Sequence, residues 1–295
     1  MPSLRDIRRR IRSIKNTAQI TKAMEMVAAS RMRRAQQRVI AARPYAEAMR
    51  SLISELAAVP GGGAAGLHPL LIQRPVDTVG VIMMTSDRGL AGALNTNVIR
   101  RASQLILESE ERRDGRAAQV ELITVGRKGQ DFMTRRGRKL LGTFTHLGDR
   151  PGYMDVVGIA RVVMDSYLEG AVDEAWLVYP QYVSTLVQRP TVLQLLPIKA
   201  AERVTKPLDY IYEPDPAEIL NQLLPRYVEV SIYQAVLETI ASEHSARMIA
   251  MRNATENAND LVESLTLSYN KVRQAAITRE VIEIAAAAEA LGAGR

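Results

Sequence analysis

The N-terminal part of the chain carries an apolar spacing that alternates steps of three and four residues without a slip. Only Thr21 and Glu25 break its apolar character. A period of 3.5 residues kept over about seven heptads is typical of an α-helix wound around a partner helix. We therefore predict a coiled-coil helix over residues 1–59, with a seam formed by Leu4, Ile7, Ile11, Ile14, Ala18, Thr21, Glu25, Ala28, Met32, Ala35, Val39, Ala42, Ala46, Met49, Ile53 and Leu56.

The C-terminal part repeats the pattern, with one extra step of four residues at His244. Asp215 as a cap, followed by Pro216 and Glu218, predicts the start of a second long helix over residues 215–292. Two such helices at opposite ends of a chain predict an antiparallel coiled coil. The second seam is Leu237, Ile240, His244, Met248, Met251, Thr255, Ala258, Val262, Leu265, Tyr269, Val272 and Ala276.

The second helix is expected to extend beyond the first. Since both rise ~1.5 Å per residue from the same end of the central region, the N-terminus should lie opposite roughly residue 272. The remaining residues then lack a partner in the chain, yet Ile277, Val281, Ile282 and Ile284 are strongly apolar. A frayed Ala-rich tail is one explanation. Insertion into a hole in another protein is the one we favour, because exposed apolar surface promotes aggregation.

Residues 76–200 follow a different pattern, in which short apolar runs alternate with helical stretches. This alternation predicts a central Rossmann-like α/β domain with mostly parallel strands. The short link between the last two strands predicts an antiparallel pair at one edge. Predicted strands are Thr78–Thr85, Val120–Val125, Lys139–Thr145, Glu174–Val183 and Thr191–Pro197, and predicted helices are Ala91–Glu111, Arg127–Arg136 and Met154–Leu168.

Positive charge is concentrated at the N-terminus. The chain has a net charge of +7, yet residues 1–50 alone hold 13 Lys and Arg against 3 Asp and Glu. A cationic helix suits nucleic acid, an anionic membrane or an acidic protein surface. An Arg-rich amphipathic start is also typical of a mitochondrial presequence, but the seam runs through Ile7 and Ile11, which argues against a removable leader.

Catalytic and metal-binding chemistry finds little support. The absence of cysteine excludes disulfides and thiolate sites, and three histidines far apart in sequence argue against a histidine-rich metal centre. The turn Ser86–Asn95 is similar to a phosphate-binding loop, but it matches neither standard glycine motif, so we favour a packing role. Asp87 beside Arg88 is better explained by an ion pair or a helix cap, and His244 by packing. We predict no catalytic residue, no cofactor site and no metal site.

Three segments carry a family resemblance. SEHSARMIAMRNATENANDLVESLTLSYNKVRQAAITREVIEI (Ser242–Ile284), IKNTAQITKAMEMVAASRMRRA (Ile14–Ala35) and TSDRGLAGALNTNVIR (Thr85–Arg100) resemble blocks of the gamma subunit of F-type ATP synthases. The resemblance implies a central rotor shaft that transmits rotation from the membrane c-ring to catalytic beta subunits and is itself non-catalytic. Implied partners are the hexameric ring of alpha and beta subunits, the epsilon subunit and the c-ring. The implied location is peripheral, on the cytoplasmic face of a bacterial plasma membrane.

The same resemblance implies residue roles. Arg273 and Gln274 match positions that hydrogen-bond a loop of a beta subunit, and Thr278 lies in the same cluster. Met24 matches a position that faces an acidic helix-turn-helix lever of beta. Ala91 stands where many members have cysteine, and without a cysteine pair the redox switch of chloroplast members is expected to be missing.

Two other functions compete with the rotor shaft. A basic coiled-coil arm that binds nucleic acid would carry aromatic residues among its arginines, whereas the N-terminal helix has only Tyr45. A nucleotide-dependent enzyme built on the α/β domain would need the phosphate motif that is missing here.

Overall fold

The computed structural model describes residues 3–58, 68–111, 118–198 and 216–292. Two long helices, α1 (Leu4–Ala58) and α5 (Pro216–Gly292), flank the central elements in sequence. Each runs through an internal proline, Pro44 or Pro225, as a continuous helix. The predicted stop at 59–63 and the predicted cap Asp215 lie outside the described residues.

The chain divides into two compact units. The terminal unit is Met1–Val27 with Met248–Arg295, and the central unit is Ala28–Arg247. This division differs from the three segments that the sequence suggested, 1–59, 76–200 and 215–292, because each long helix contributes residues to both units. The division into the three predicted segments remains a proposal.

The central unit holds one five-stranded sheet with strand order β3-β2-β1-β4-β5. The β1–β2, β1–β4 and β2–β3 pairs are parallel, and β4–β5 is antiparallel at the edge, which confirms the predicted topology. The strands are β1 (Thr78–Met84), β2 (Gln119–Val125), β3 (Leu140–Phe144), β4 (Glu174–Tyr182) and β5 (Gln188–Leu196), and the helices between them are α2 (Leu94–Glu110), α3 (Arg127–Arg135) and α4 (Met154–Leu168), with a 3-10 turn at Pro69–Leu71.

Strand β5 begins three residues before the predicted Thr191. The additional residues include Pro190, and proline cannot donate a ladder hydrogen bond. The structure places Pro190 opposite Pro180 in the antiparallel pair with β4. An edge strand tolerates this proline because it pairs on one side only.

The two faces of the sheet belong to two hydrophobic clusters. Along β1, Ile82 and Met84 join a cluster with residues of α1, α4 and α5, whereas Val81 and Met83 join one with α2 and Met133 of α3. Successive side chains of a strand point to opposite faces. The long helices therefore pack on the face that α4 also covers, and α2 and α3 cover the other face.

The terminal unit is an antiparallel pair of helical segments. Arg8 of α1 bonds the Tyr269 hydroxyl of α5, Thr21 meets Thr255, and Arg252 bonds Glu25. Residue numbers rise along one helix as they fall along the other, so the helices run in opposite directions. Equal rise per residue places Leu4 opposite about residue 273, close to the predicted end of pairing.

Burial follows the predicted seams. Every described seam residue whose side chain is described, from Leu4 to Ile53 in α1 and from Leu237 to Ala276 in α5, is buried or half-buried. Every residue from Ile277 to Ala287 is exposed. Within the described chain, this last stretch of α5 therefore has no covering partner, as the sequence predicted.

We predict that Tyr167→Phe destabilises the chain. The Tyr167 hydroxyl is buried and donates to the Ile72 carbonyl at 2.6 Å, so its loss leaves that carbonyl without this donor. The expected cost in the free energy of unfolding is about 1–2 kcal/mol. Denaturant titration of the full chain, followed by fluorescence of the single tryptophan Trp176, measures it.

Tyr182→Phe is the matched control. Its hydroxyl is also in the core of the central unit, but its contacts to Met32 Sδ and Thr185 Oγ1 are long, at 3.9 and 3.5 Å. We expect a cost below about 0.5 kcal/mol. Equal effects of the two substitutions would contradict the assigned role of Tyr167.

Candidate partner-binding surfaces

The polar interruption of the α1 seam is satisfied by α5 within the terminal unit. Glu25, whose side chain is 9% exposed, accepts from Arg252 Nε at 3.2 Å with one oxygen and from Lys22 Nζ at 3.1 Å with the other. A buried carboxylate is costly unless it is paired and hydrogen-bonded. Both oxygens are used here, so the charge is tolerated in an otherwise apolar seam.

Thr21, the second polar seam residue, is matched by a second threonine. The Thr21 and Thr255 hydroxyl oxygens lie 2.7 Å apart, and the Thr255 hydroxyl donates to the Met251 carbonyl at 2.8 Å. Since each hydroxyl has one proton, Thr21 can donate to Thr255 while Thr255 donates to Met251. Thr21 and Glu25, the two polar positions of the α1 seam, thus form with Thr255 and Arg252 one polar layer that links the two helices.

The ion pairs around Glu25 also set its protonation. The Lys22 hydrogen bond, followed by that of Arg252, holds the pKa of the Glu25 carboxyl below its ordinary value of 4.5. Burial raises this pKa, but its effect is smaller than that of the Lys22 hydrogen bond. Glu25 is therefore ionised at neutral pH.

An open groove of about 640 Å³ runs beside this layer, between the two helical segments of the terminal unit. Lys15, Lys22 and Arg252 contribute cations to its lining, and Glu25 and Glu256 contribute carboxylates. Glu25 is already paired with two of these cations. Polar residues predominate in the lining of the groove, which carries one more cation than carboxylate.

Met24 lies one position before Glu25 and is half-buried, whereas Ile20 and Val27 beside it are exposed at 60% and 51%. These three residues follow a spacing of four and three, so they share one face of α1. Met24 therefore lies on an apolar strip of α1 that the other residues of the terminal unit bury only in part.

Arg273, Gln274 and Thr278 are all exposed on α5. Gln274 and Thr278 are four residues apart and lie on one face of the helix, and Arg273 points to a neighbouring face. The structure does not bring them near Met24, because the helix register places Met24 opposite about residue 253, ~30 Å away along α5. The candidate residues therefore form two surfaces, one at Met24 and one where pairing with α1 ends.

The loop that resembled a phosphate-binding turn uses its polar groups within the central unit. Asn95 Oδ1 accepts the Ser86 N–H at 3.0 Å. The Asp87 carboxylate accepts the backbone N–H groups of Arg127 at 3.0 Å and His146 at 2.9 Å. Asp87 thus caps the first turn of α3 and holds the loop after β3, which supports the structural interpretation of this loop.

His244 is a packed residue, with a side chain 2% exposed. Its Nε2 lies 3.3 Å from Asp149 Oδ1, and burial lowers the pKa of the ring to about 4. The ring is therefore neutral at physiological pH. Among the described residues, no group of three His, Asp or Glu side chains is arranged to hold a metal ion.

Comparison with known proteins decides the family. A family model described as ATP synthase matches residues 3–291. The chain is 54% identical over 298 residues to a protein of Roseiflexus sp. (strain RS-1), and 53% identical over 292 residues to one of Chloroflexus aurantiacus. Both are named ATP synthase gamma chain, and each alignment covers 99% of both sequences. The chain belongs to the gamma-subunit family of F-type ATP synthases.

Solved structures agree with this family. The central stalk and c-ring structure of the Tetrahymena thermophila mitochondrial ATP synthase contains a similar chain, with a TM-score of 0.58 and 26% identity over 80% of this chain and 99% of that one. A chain of the Euglena gracilis mitochondrial ATP synthase rotor has a TM-score of 0.66 at 20% identity, over 93% of this chain and 98% of that one, and supports the fold.

Sequence reasoning missed the partners of the polar layer. It singled out Thr21 and Glu25 as lapses in the seam, but it did not assign Thr255 and Arg252 to them. The register expected from the sequence places residue 25 opposite roughly residue 248 and residue 21 opposite roughly residue 252, about one helical turn short of the observed partners. In this gamma-family chain, two of the three resembling blocks, Ile14–Ala35 and Ser242–Ile284, contribute Thr21, Glu25, Arg252 and Thr255 to one layer.

We predict that Glu25→Gln lowers the stability of the chain in a pH-dependent way. Folding lowers the pKa of Glu25, so the carboxylate contributes stability above pH 4.5 and this contribution is lost as the pH falls through the lower pKa of the folded chain. The variant should melt at a lower temperature at pH 7, and the difference should shrink as the pH falls below 4.5. Circular dichroism at 222 nm across this pH range measures it.

Glu263→Gln, at an exposed position of α5, is the control and should show little change at either pH. A difference between Glu25→Gln and the unmodified chain that persists unchanged at pH 3 would contradict the ion-pair origin of the effect.

Proposed function

We propose that this chain is the central rotor shaft of a proton-translocating F-type ATP synthase, passing rotation from a membrane c-ring to catalytic beta subunits. Membership of the gamma-subunit family is the observation that carries the proposal. Structural similarity to the central stalk of the Tetrahymena enzyme supports it. The nucleic-acid-binding alternative has no comparable support.

We infer that the exposed end of α5 inserts into the hole of a ring of alternating alpha and beta subunits. Ile277, Val281, Ile282 and Ile284 are between 51% and 71% exposed in the isolated chain. Apolar side chains at this density need a protein cover. A ring with an apolar inner surface would cover them while letting the helix turn.

Two contacts with beta subunits follow from the family resemblance. Arg273 and Gln274, exposed where pairing with α1 ends, would hydrogen-bond a beta loop, with Thr278 in the same cluster. Met24 would face an acidic lever of beta, beside the groove that carries Lys15, Lys22 and Arg252. The charge of the first 50 residues suits such an acidic partner.

The chain would act without catalysing a reaction itself. An asymmetric shaft that contacts three beta subunits differently gives each site a different nucleotide affinity at each angle, and rotation moves these affinities around the ring. Asp87, the acidic residue in the most suggestive loop, is engaged by two backbone N–H groups. Catalysis would then belong to beta.

The remaining partners would be the epsilon subunit and the c-ring, which would hold the complex at the cytoplasmic face of a bacterial plasma membrane. Within the described ranges, no helix is long and apolar enough to cross a bilayer. Contact with the c-ring would then supply the peripheral attachment.

A tagged full chain, extracted gently from cells that express the other subunits, should copurify with alpha and beta subunits. Gel electrophoresis and mass spectrometry identify them. Assembly with neither subunit would overturn the proposed function.

Arg273→Ala should impair proton-driven ATP synthesis by the assembled complex, because it removes the side chain expected to bind a beta loop. Loss of one hydrogen bond to a charged group corresponds to about 1.5–3 kcal/mol. Helicity of the isolated chain should not change, since Arg273 is exposed.

Arg279→Ala, another exposed arginine of the same helix, is the matched control and should retain more activity. Equal synthesis rates for Arg273→Ala and the unmodified complex would contradict the assigned contact.

A further inference from the structure

A ten-residue segment of α5, Glu238–Arg247, is held by hydrogen bonds to the central α/β layer. The Tyr182 N–H donates to Glu238 Oε2 at 3.2 Å. Ser242 Oγ donates to the Pro180 carbonyl at 2.9 Å, and Ser245 Oγ donates to the Thr185 carbonyl at 2.6 Å. All three contacts reach β4 or the turn that follows it. We call Glu238–Arg247 the clamp segment.

The three residues form one stripe, because their spacing is four and then three residues. The clamp segment is also held elsewhere around its circumference. Arg247 donates to the Gly89 carbonyl at 3.0 Å, in the loop after β1, from a face about 140° from that of Ser242. Asp149, in the loop after β3, lies against His244 and also accepts from Arg31 of α1. Contacts on several sides of a helix resist rotation about its axis.

The two serines behave differently from several other hydroxyl residues within the described helices. Buried or crowded Ser and Thr in a helix commonly donate to the carbonyl four residues earlier. Thr239, Thr255 and Thr266 of α5 do so, as do Ser109 in α2 and Ser166 in α4. Ser242 and Ser245 instead donate to carbonyls outside their own helix, although both are fully buried.

Their chemistry suits a stiff connection. One rotatable bond separates a serine hydroxyl from the backbone, so its hydrogen bond restricts movement of the helix tightly. A long charged side chain has more rotatable bonds and allows more movement. The acceptors are backbone carbonyls of the sheet and its hairpin. Rotation of α5 would break both bonds within a buried site, where an unmade hydrogen bond is costly.

We propose that Ser242 and Ser245 are positioning residues for torque transfer, locking α5 to the β4–β5 hairpin so that the helix and the α/β layer turn as one body. The proposal rests on the rotor function proposed above. It assigns the place where torque passes from the α/β layer into α5, which neither family membership nor the contacts with beta define.

The test measures torsional stiffness in the assembled complex. The alpha–beta ring is fixed to a surface and stalled with a non-hydrolysable nucleotide, and a bead is attached to the α/β layer through Thr134→Cys, an exposed position of α3 in a cysteine-free chain. The angular variance of the bead is inversely proportional to the torsional stiffness of the connection from the fixed ring through α5 to the bead. Ser242→Ala/Ser245→Ala removes two of the four bonds described for Glu238, Ser242, Ser245 and Arg247. The variance contributed by this connection should rise by up to about twofold, since apolar packing of the same segment retains part of the stiffness.

Thr239→Val is the matched control. Thr239 is buried in the same segment, but its hydroxyl donates to the Ala235 carbonyl of its own helix at 2.7 Å, and its contact with the α/β layer, to Met84 Sδ, is long at 4.0 Å. Its removal should leave the angular variance unchanged. If the double variant does not assemble, the single Ser242→Ala and Ser245→Ala variants are measured, and each should give a smaller increase.

The proposal is overturned if the angular variance of the bead in the double variant, or in both single variants, equals that in the unmodified complex. An equal increase in Thr239→Val also overturns it, because loosening would then follow from any lost hydroxyl. Failure of the rotor function itself is distinguishable, since the unmodified complex would then show no ATP-driven rotation of the bead.

Discussion

The antiparallel seam between α1 and α5 is the contact on which the other features depend. A single long helix gains little stability from its own hydrogen bonds and needs an apolar partner face. In the terminal unit the seam supplies that face, and in the central unit the same two helices join the core on one side of the sheet. The register of the seam also decides where pairing ends and where α5 becomes exposed.

The seam combines small apolar residues with one polar layer. Ala18, Ala28 and Ala35 are buried positions that let the helices approach closely. At Thr21 and Glu25 the apolar pattern gives way to bonds with Thr255 and Arg252. Such a layer stabilises less than packed leucines would, but it favours one register, because a shifted helix would leave the Glu25 carboxylate against a residue that cannot pair with it. The layer lies beside Met24, so it also fixes the face that Met24 presents.

Much of this fold could be predicted from the sequence because two strong periodicities are present. The 3.5-residue spacing identified both long helices, and the difference in their lengths located the exposed end of α5 to within a few residues. Strand β5 begins three residues before the predicted Thr191, and the additional residues include Pro190, which is tolerated because β5 is an edge strand. The clamp could not have been predicted, since nothing local distinguishes Ser242 from a serine that bonds its own helix. Its role depends on where the Pro180 carbonyl lies in three dimensions.

The central claim is that the exposed end of α5 is covered by a partner in the working complex. The chain has no cysteine, so Ile284→Cys introduces a single thiol at a residue that is 71% exposed. The most direct measurement is the rate of maleimide labelling of this thiol in the isolated chain and in the assembled complex. We expect fast labelling in the isolated chain and strong protection in the complex. Equal labelling rates in both would contradict the account.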